Sequence, residues 1–170
     1  EAIHGVVVLA EGVTTPFLEL WMASGHGDTE SEAFQHWAED DPPVVSTSCA
    51  KCHSTTGFLD FLGEDGSDFG TVEATAPGGE GITCGACHNA TASNLDSVTF
   101  PSGLTVTGLG SEARCMQCHQ GRNSTPQVDE AISAAGVGDD EVSADLSFKN
   151  VHYFAAGATR FGAEAQGGYQ

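Results

Sequence analysis

The chain has 170 residues, 39% of them apolar, and a formal charge of −19 from 24 Asp and Glu against five Lys and Arg. So acidic a surface repels nucleic acid and anionic lipid, and favours solubility, cationic partners or mineral surfaces. The longest apolar run, Val6 to Ala10, is too short for a membrane span, and nine Phe, two Trp and two Tyr among 22 Gly are a thin stock for a core. A loop-rich fold held by a staple, a metal or a cofactor is expected.

The chain starts at Glu1, with neither Met nor a charged-then-apolar leader. Either a signal peptide has been removed or the chain is a fragment. His4 and Val6 to Ala10 form an apolar arm, within residues 1–12, that can dock on a neighbour or fold back on its own domain, with His4 either a spare surface residue or a ligand given to a neighbouring subunit. Thr15-Pro16 opens a helix through Phe17, Leu18, Leu20, Trp21 and Met22 that stops near Ser24-Gly25, with His26 in the Gly-flanked turn beyond. A second helix is predicted from Asp28-Thr29 through Ala33, Phe34 and Trp37, ended by Asp41-Pro42-Pro43. His36 lies on it between aromatics and is expected to face the interior.

Three strings follow: Cys49-Ala-Lys-Cys52-His53, Cys84-Gly-Ala-Cys87-His88 and Cys115-Met-Gln-Cys118-His119. Between the first two, the run Asp60 to Asp68 has the oxygen density for calcium without the spacing of a calcium loop, and reads as a solvated acidic turn. Between the last two, Ser97 to Phe100 and Leu104 to Thr107 flank Pro101-Ser102-Gly103 as a hairpin. Ser111 to Arg114 opens a helix carrying the third string, Asp129 to Ala135 reads as a short helix, and Asp139 to Phe148 as another. His152 sits in the aromatic setting Val151-His152-Tyr153-Phe154.

The strings consume every Cys, with a fixed two-residue gap and His directly after. This is the signature of covalent c-type haem attachment. The two thiols add across the vinyl groups of one haem, and the following imidazole binds the iron as proximal ligand. Zinc ribbons do not require a His after each pair, thioredoxin-type pairs need a strand–helix context, and disulfide frameworks spread their cysteines. Three covalent haems per chain are expected, and with them a location outside the cytoplasm: extracellular or cell-surface first, periplasmic second.

His53, His88 and His119 are the proximal set, which leaves His4, His26, His36 and His152 as candidate distal ligands. Met116 lies inside its own motif and cannot reach over its own ring, whereas Met22 is open in principle. Paired imidazoles stabilise the ferric state, so low reduction potentials are expected. His88 follows His53 by 35 positions and His119 follows His88 by 31, too little chain to insulate one haem from the next. Arg114 and Arg122 are candidates to pair with haem propionates. The fold class expected is mostly irregular coil with short α-helices and at most one β-hairpin, a single domain over 1–170 organised around a closely packed chain of three haems.

The motifs, with Ser24-Gly-His26, Ala33-Phe-Gln-His36-Trp37, Phe100-Pro-Ser-Gly103, Cys115 to Arg122 and His152-Tyr-Phe-Ala-Ala-Gly157, make most of residues 20–170 similar to secreted multihaem c-type cytochromes of anaerobically respiring microbes. The resemblance implies electron transfer beyond the cell and, in some members, polymerisation into filaments in which a His of one subunit ligates a haem of the next. His4 is the candidate for that role, and the partners implied are other copies of the chain, other redox proteins and extracellular acceptors. In longer relatives a region like 152–170 leads on to further motifs, so a compact three-haem protein and part of a longer one both stay open.

An electron carrier is the expected function, because enough His exist for every iron and no substrate site is visible. The rival readings are a subunit of a multihaem oxidoreductase with one open-coordinate haem, and a soluble periplasmic shuttle. All three motifs end in His, which counts against a catalytic haem.

Overall fold

The computed structural model describes residues 15–152 and 156–167. The N-terminal arm with His4, and Tyr153 and Phe154, lie outside them. Short helices and long connections dominate. α1 (Leu18–Met22) follows Phe17, whose φ of 63° turns the chain into it, and leaves Phe17, Leu20 and Met22 facing outward. Only Trp21 is tied inward, its indole N–H donating to the Ile82 carbonyl at 2.9 Å. The predicted second helix shrinks to α2 (Glu32–Gln35). Asp28 and Thr29 instead form turns, with Ser31 Oγ donating to Asp28 O at 2.8 Å. This is the local competition that Ser and Asp offer a helix backbone.

α3 (Thr47–His53) and α4 (Thr55–Phe61) share a boundary at Ser54. Its buried hydroxyl donates to Ala50 O at 3.2 Å and accepts from Gly57 N at 2.8 Å, ending one helix and capping the next. The pair crosses at Gly57, where a Cβ would lie 2.5 Å from Ala50. Beside them β1 (Val44–Val45) pairs antiparallel with β2 (Ala76–Pro77), Val44 opposite Pro77 and Val45 opposite Ala76. This ribbon was not expected, since two-residue strands carry no readable alternation.

α5 (Cys84–Cys87) and α6 (Ala90–Asn94) follow, the latter capped by Asn89 Oδ1 accepting from Ala92 N at 2.7 Å. The expected hairpin is present as β3 (Val98–Thr99) and β4 (Thr105–Val106), turned at Gly103 with φ 86°. A 3₁₀ turn, Gly110–Glu112, leads into α7 (Ala113–Met116). α8 (Thr125–Ala135) begins four residues before the predicted Asp129. Its start signal is Ser124, whose N–H donates to Gln127 Oε1 at 2.8 Å, an S-x-x-Q capping pattern. Residues 139–148 form turns and coil, not the predicted helix. α9 (Ala156–Ala165) is broken at Gly162.

Among the described residues, three small apolar clusters stand in place of a single core. Val45, Ala50 and Ala76 pack with Trp37 and Cys49. Phe34, Phe58, Leu62, Ile82, Ala86 and Ala92 pack with Cys87 and Cys118. Val98, Phe100, Met116 and Ala165 form the third, under Phe161 of α9. Each cluster therefore touches at least one Cys-x-x-Cys string.

Candidate functional site

The three strings fold alike at their start. In each, the first Cys lies in a helical turn: α3 for Cys49, α5 for Cys84, α7 for Cys115. Helical neighbours three apart share a face, which puts Cys49 with Cys52 and Cys84 with Cys87 on one side of their turns, while Cys118 follows α7 in a turn. None of the six thiols is in a disulfide.

Tertiary packing brings the strings together. The first and third meet back to back, Cys118 Sγ lying 3.4 Å from Lys51 O and Cys52 Sγ 3.9 Å from Cys118 O. The second joins the third through Arg114, whose guanidinium donates to Cys87 O at 2.8 Å, while its Nε–H donates to Ser111 O. Part of the predicted propionate partner is thus committed to backbone. Arg122 is exposed, its amide directed at Val151 O.

Where the strings converge there is a cavity of about 640 Å³, lined by Cys52, Cys87, Cys115 and Cys118 with the imidazoles of His26, His53, His119 and His152. Phe34, Phe58 and Ile82 supply apolar wall, and Arg114 the one cationic side chain. That volume lies in the range of sites for large planar ligands. Both thiols of the third string, one from each of the others, and four imidazoles on an apolar wall would suit a covalently held tetrapyrrole with nitrogen ligands.

Two of the four imidazoles, those of His53 and His152, are oriented by ring hydrogen bonds, and His26 and His119 are held through their backbone. His53 Nδ1 lies 2.8 Å from Ala33 O, which can only accept, so Nδ1 carries the proton and Nε2 keeps its lone pair. His152, at φ 61°, has Nδ1 3.1 Å from Asn150 Oδ1, which also accepts from the His152 amide at 3.0 Å. His119 is held through its carbonyl, which accepts from Gly157 N at 2.7 Å. His26 follows the turn after α1, its carbonyl accepting from Ile82 N at 3.0 Å. The rings of His26 and His119 stand 6.0 Å apart, centre to centre, and those of His53 and His152 6.3 Å.

Two candidates behave differently. His88 is exposed, and among the described residues no other ring faces it. His36 is also exposed, at 63% of its side chain, with Nδ1 2.9 Å from Glu32 Oε1. The expectation that it faces the interior is overturned: α2 is one turn long and ends at Gln35, so no helix face carries His36 inward. Its ring packs edge-on against Trp37, which in turn packs against His53.

Titration follows packing. The Cys118 thiol, with Lys51 and Arg122, lowers the Cys52 thiol to about 7 against the burial that opposes it. Its partner Cys118 is pushed up by the same contact and by burial. Burial raises Cys87, and lowers His119 and His152 with help from neighbouring cations and imidazoles. Neutral imidazole is the metal-ligating form.

The acidic run is the solvated turn expected, with Glu64, Asp65 and Asp68 exposed, except at its start, where Asp60 belongs to α4. Asp60 is buried, its Oδ2 accepting from Glu73 N at 3.0 Å and Ala74 N at 3.1 Å, and Asp65 caps Ser67. Among the described residues no group of three or more His, Cys, Asp or Glu is arranged to hold a metal ion by itself, and none of their helices is long and apolar enough to cross a membrane. Sequence reasoning missed the supports: Phe58 acts through packing, and Ser54, Ile82 and Gly157 through hydrogen bonds to backbone that no motif announces.

Residues 32–120, more than half of the chain, match the family of cytochrome c7 and related cytochrome c. The chain is also 28% identical, over 167 aligned positions, to the C-type polyheme cytochrome OmcB of Geobacter sulfurreducens, in strain DL-1/KN400 and in strain ATCC 51573 alike. The alignment covers 79% of this chain and 21% of the relative, so the chain spans about one fifth of the length of the curated relatives it matches. No solved structure matches it. The chain belongs to the cytochrome c7 and related cytochrome c family, and is a multihaem c-type cytochrome of electron transfer with covalently bound haem c.

Proposed function

We propose that the chain holds three haems, at Cys49/Cys52/His53, Cys84/Cys87/His88 and Cys115/Cys118/His119, and relays electrons through them outside the cytoplasm as one subunit of a filament of its own copies. The carrying observation is the convergence of all three strings on one apolar cavity, with the first and third in sulfur-to-backbone contact. Haem iron supplies one-electron chemistry. The chain supplies the rest: thiols to fix each ring, buried Phe34, Phe58 and Ile82 to exclude water, and imidazoles oriented by Ala33 O and Asn150 Oδ1. Residues 1–170 act as one domain in this reading, and calcium has no part in it because Asp60 and Asp65 are engaged by backbone and Ser67.

Assembly is supported by a mismatch within the chain. His88 has no facing imidazole among the described residues, while His36 presents an unencumbered Nε2 at the surface. A copy-to-copy ligand resolves it, with His4 of a neighbouring subunit the first candidate for the iron at His88 and exposed Phe17, Leu20 and Met22 available to a docking partner. The acidic surface selects cationic redox partners or mineral acceptors.

The test is haem stoichiometry by intact mass with the electron paramagnetic resonance spectrum of the oxidised protein. Three haems per chain, all low-spin and unmoved by carbon monoxide after reduction, are expected. Fewer haems, or a high-spin iron in the assembled protein, would overturn the reading. Electron microscopy decides the filament: a uniformly monomeric holoprotein makes it a soluble shuttle.

A further inference from the structure

We infer that His26 and His152 are the distal axial ligands of two particular irons: His26 of the iron bound at His119, and His152 of the iron bound at His53. The inference rests on the haem-relay reading and adds to it a pairing that the sequence leaves open.

A metal bound by an imidazole nitrogen at about 2.0 Å lies about 3 Å from the ring centre, so two imidazoles on opposite sides of one iron stand roughly 6 Å apart. The observed separations, 6.0 Å for His26/His119 and 6.3 Å for His53/His152, match that span. Rings in van der Waals contact stack or tilt at 4.5 Å or more, so this spacing alone would be compatible with simple packing. Three further observations favour ligation. All four rings line the same cavity, which Cys52 of the first motif and Cys115 and Cys118 of the third also line. His53 and His152 both have Nδ1 occupied by an acceptor, which directs the remaining lone pairs, on Nε2, elsewhere. His152 adopts φ 61°, a left-handed conformation uncommon for a non-glycine residue, and Asn150 holds it there through two hydrogen bonds.

The ring planes within each pair are twisted by 66° and 74°. Both planes can contain a common metal–nitrogen axis whatever the twist, so the angle does not oppose ligation. It does set a signature, because near-perpendicular axial imidazoles leave low-spin ferric iron with a highly anisotropic resonance. His36 is left out of both pairs: its ring faces Trp37, and its Nδ1 faces Glu32.

The experiment uses the full chain matured with haem, read by intact mass, paramagnetic resonance and carbon monoxide difference spectra. His26→Ala and His152→Ala are each expected to keep all three covalent haems, convert one in three from low-spin to high-spin and bind one equivalent of carbon monoxide. Added imidazole should restore the low-spin state, and the double variant should convert two haems. The pairing itself is read on a Cys115→Ala/Cys118→Ala background, which lacks the third haem. There His26→Ala should add no high-spin iron, whereas His152→Ala should add one. The opposite pattern, or single variants that stay wholly low-spin, would overturn the assignment. If that background does not fold, the structure of the holoprotein decides by which irons the two Nε2 atoms contact. A parent protein with fewer than three haems would instead indict the relay reading.

Discussion

The first and third Cys-x-x-Cys-His strings and the second are identical in spacing but live in different surroundings. His53 and His119 each face a second imidazole across about 6 Å, from residues 99 and 93 positions away in the chain. His88 ends the same kind of helical turn, yet its ring is exposed and faces none among the described residues. The attachment motif is thus a local device, whereas the second ligand is a long-range one. A haem whose second ligand comes from its own fold is a closed unit, and one that needs a ligand from elsewhere is a point of assembly.

The largest effect expected is from haem removal. At about 24 cal/mol per Å³, a dry cavity of about 640 Å³ costs on the order of 15 kcal/mol, an upper bound since water enters its open side. That equals the whole stability of an ordinary domain, so chain produced without haem maturation should show no cooperative thermal transition. Phe58→Ala comes next. Phe58 is buried between Ile82, Ala86 and Cys87, so its loss should cost about 3–5 kcal/mol by denaturant titration and expose the second haem more than the others. Gly157→Ala should act on the other side of the comparison. Its Cβ would sit 2.6 Å from Met116 Sδ and 2.8 Å from His119 O, a steric cost of about 1–3 kcal/mol with a shift in the potential of the third haem. The smallest effect on stability is expected of His36→Ala, within about 0.5 kcal/mol because its only ion pair is exposed. Loss of filaments by light scattering in that variant, with stability intact, would move the inter-subunit ligand from His4 to His36.

Some of this fold was legible because the signals were local. The hairpin about Pro101-Ser102-Gly103 and the helix before His26 appear where turn chemistry placed them. The second helix did not, because Asp28, Thr29 and Ser31 spend their polar groups on turns, and in the segment 139–148 the apolar Val142 and Phe148 stay exposed, so no packing holds a helix there. α8 was shortened in prediction because its start lies in a capping pair, Ser124 with Gln127, and not in its apolar residues.

What the sequence determined by itself is the chemistry that spacing dictates: two thiols and an imidazole within five residues, three times over, hence a multihaem c-type cytochrome. Whether His36 turns inward, and which of His26 and His152 faces which motif, was decided only by the tertiary structure. A Cys-x-x-Cys-His turn closes through neighbouring residues, while an imidazole brought from about ninety residues away is placed by Ser54, Gly57, Ile82 and Gly157. Their part is close packing and backbone hydrogen bonding across the fold, and neither leaves a periodic trace in a sequence.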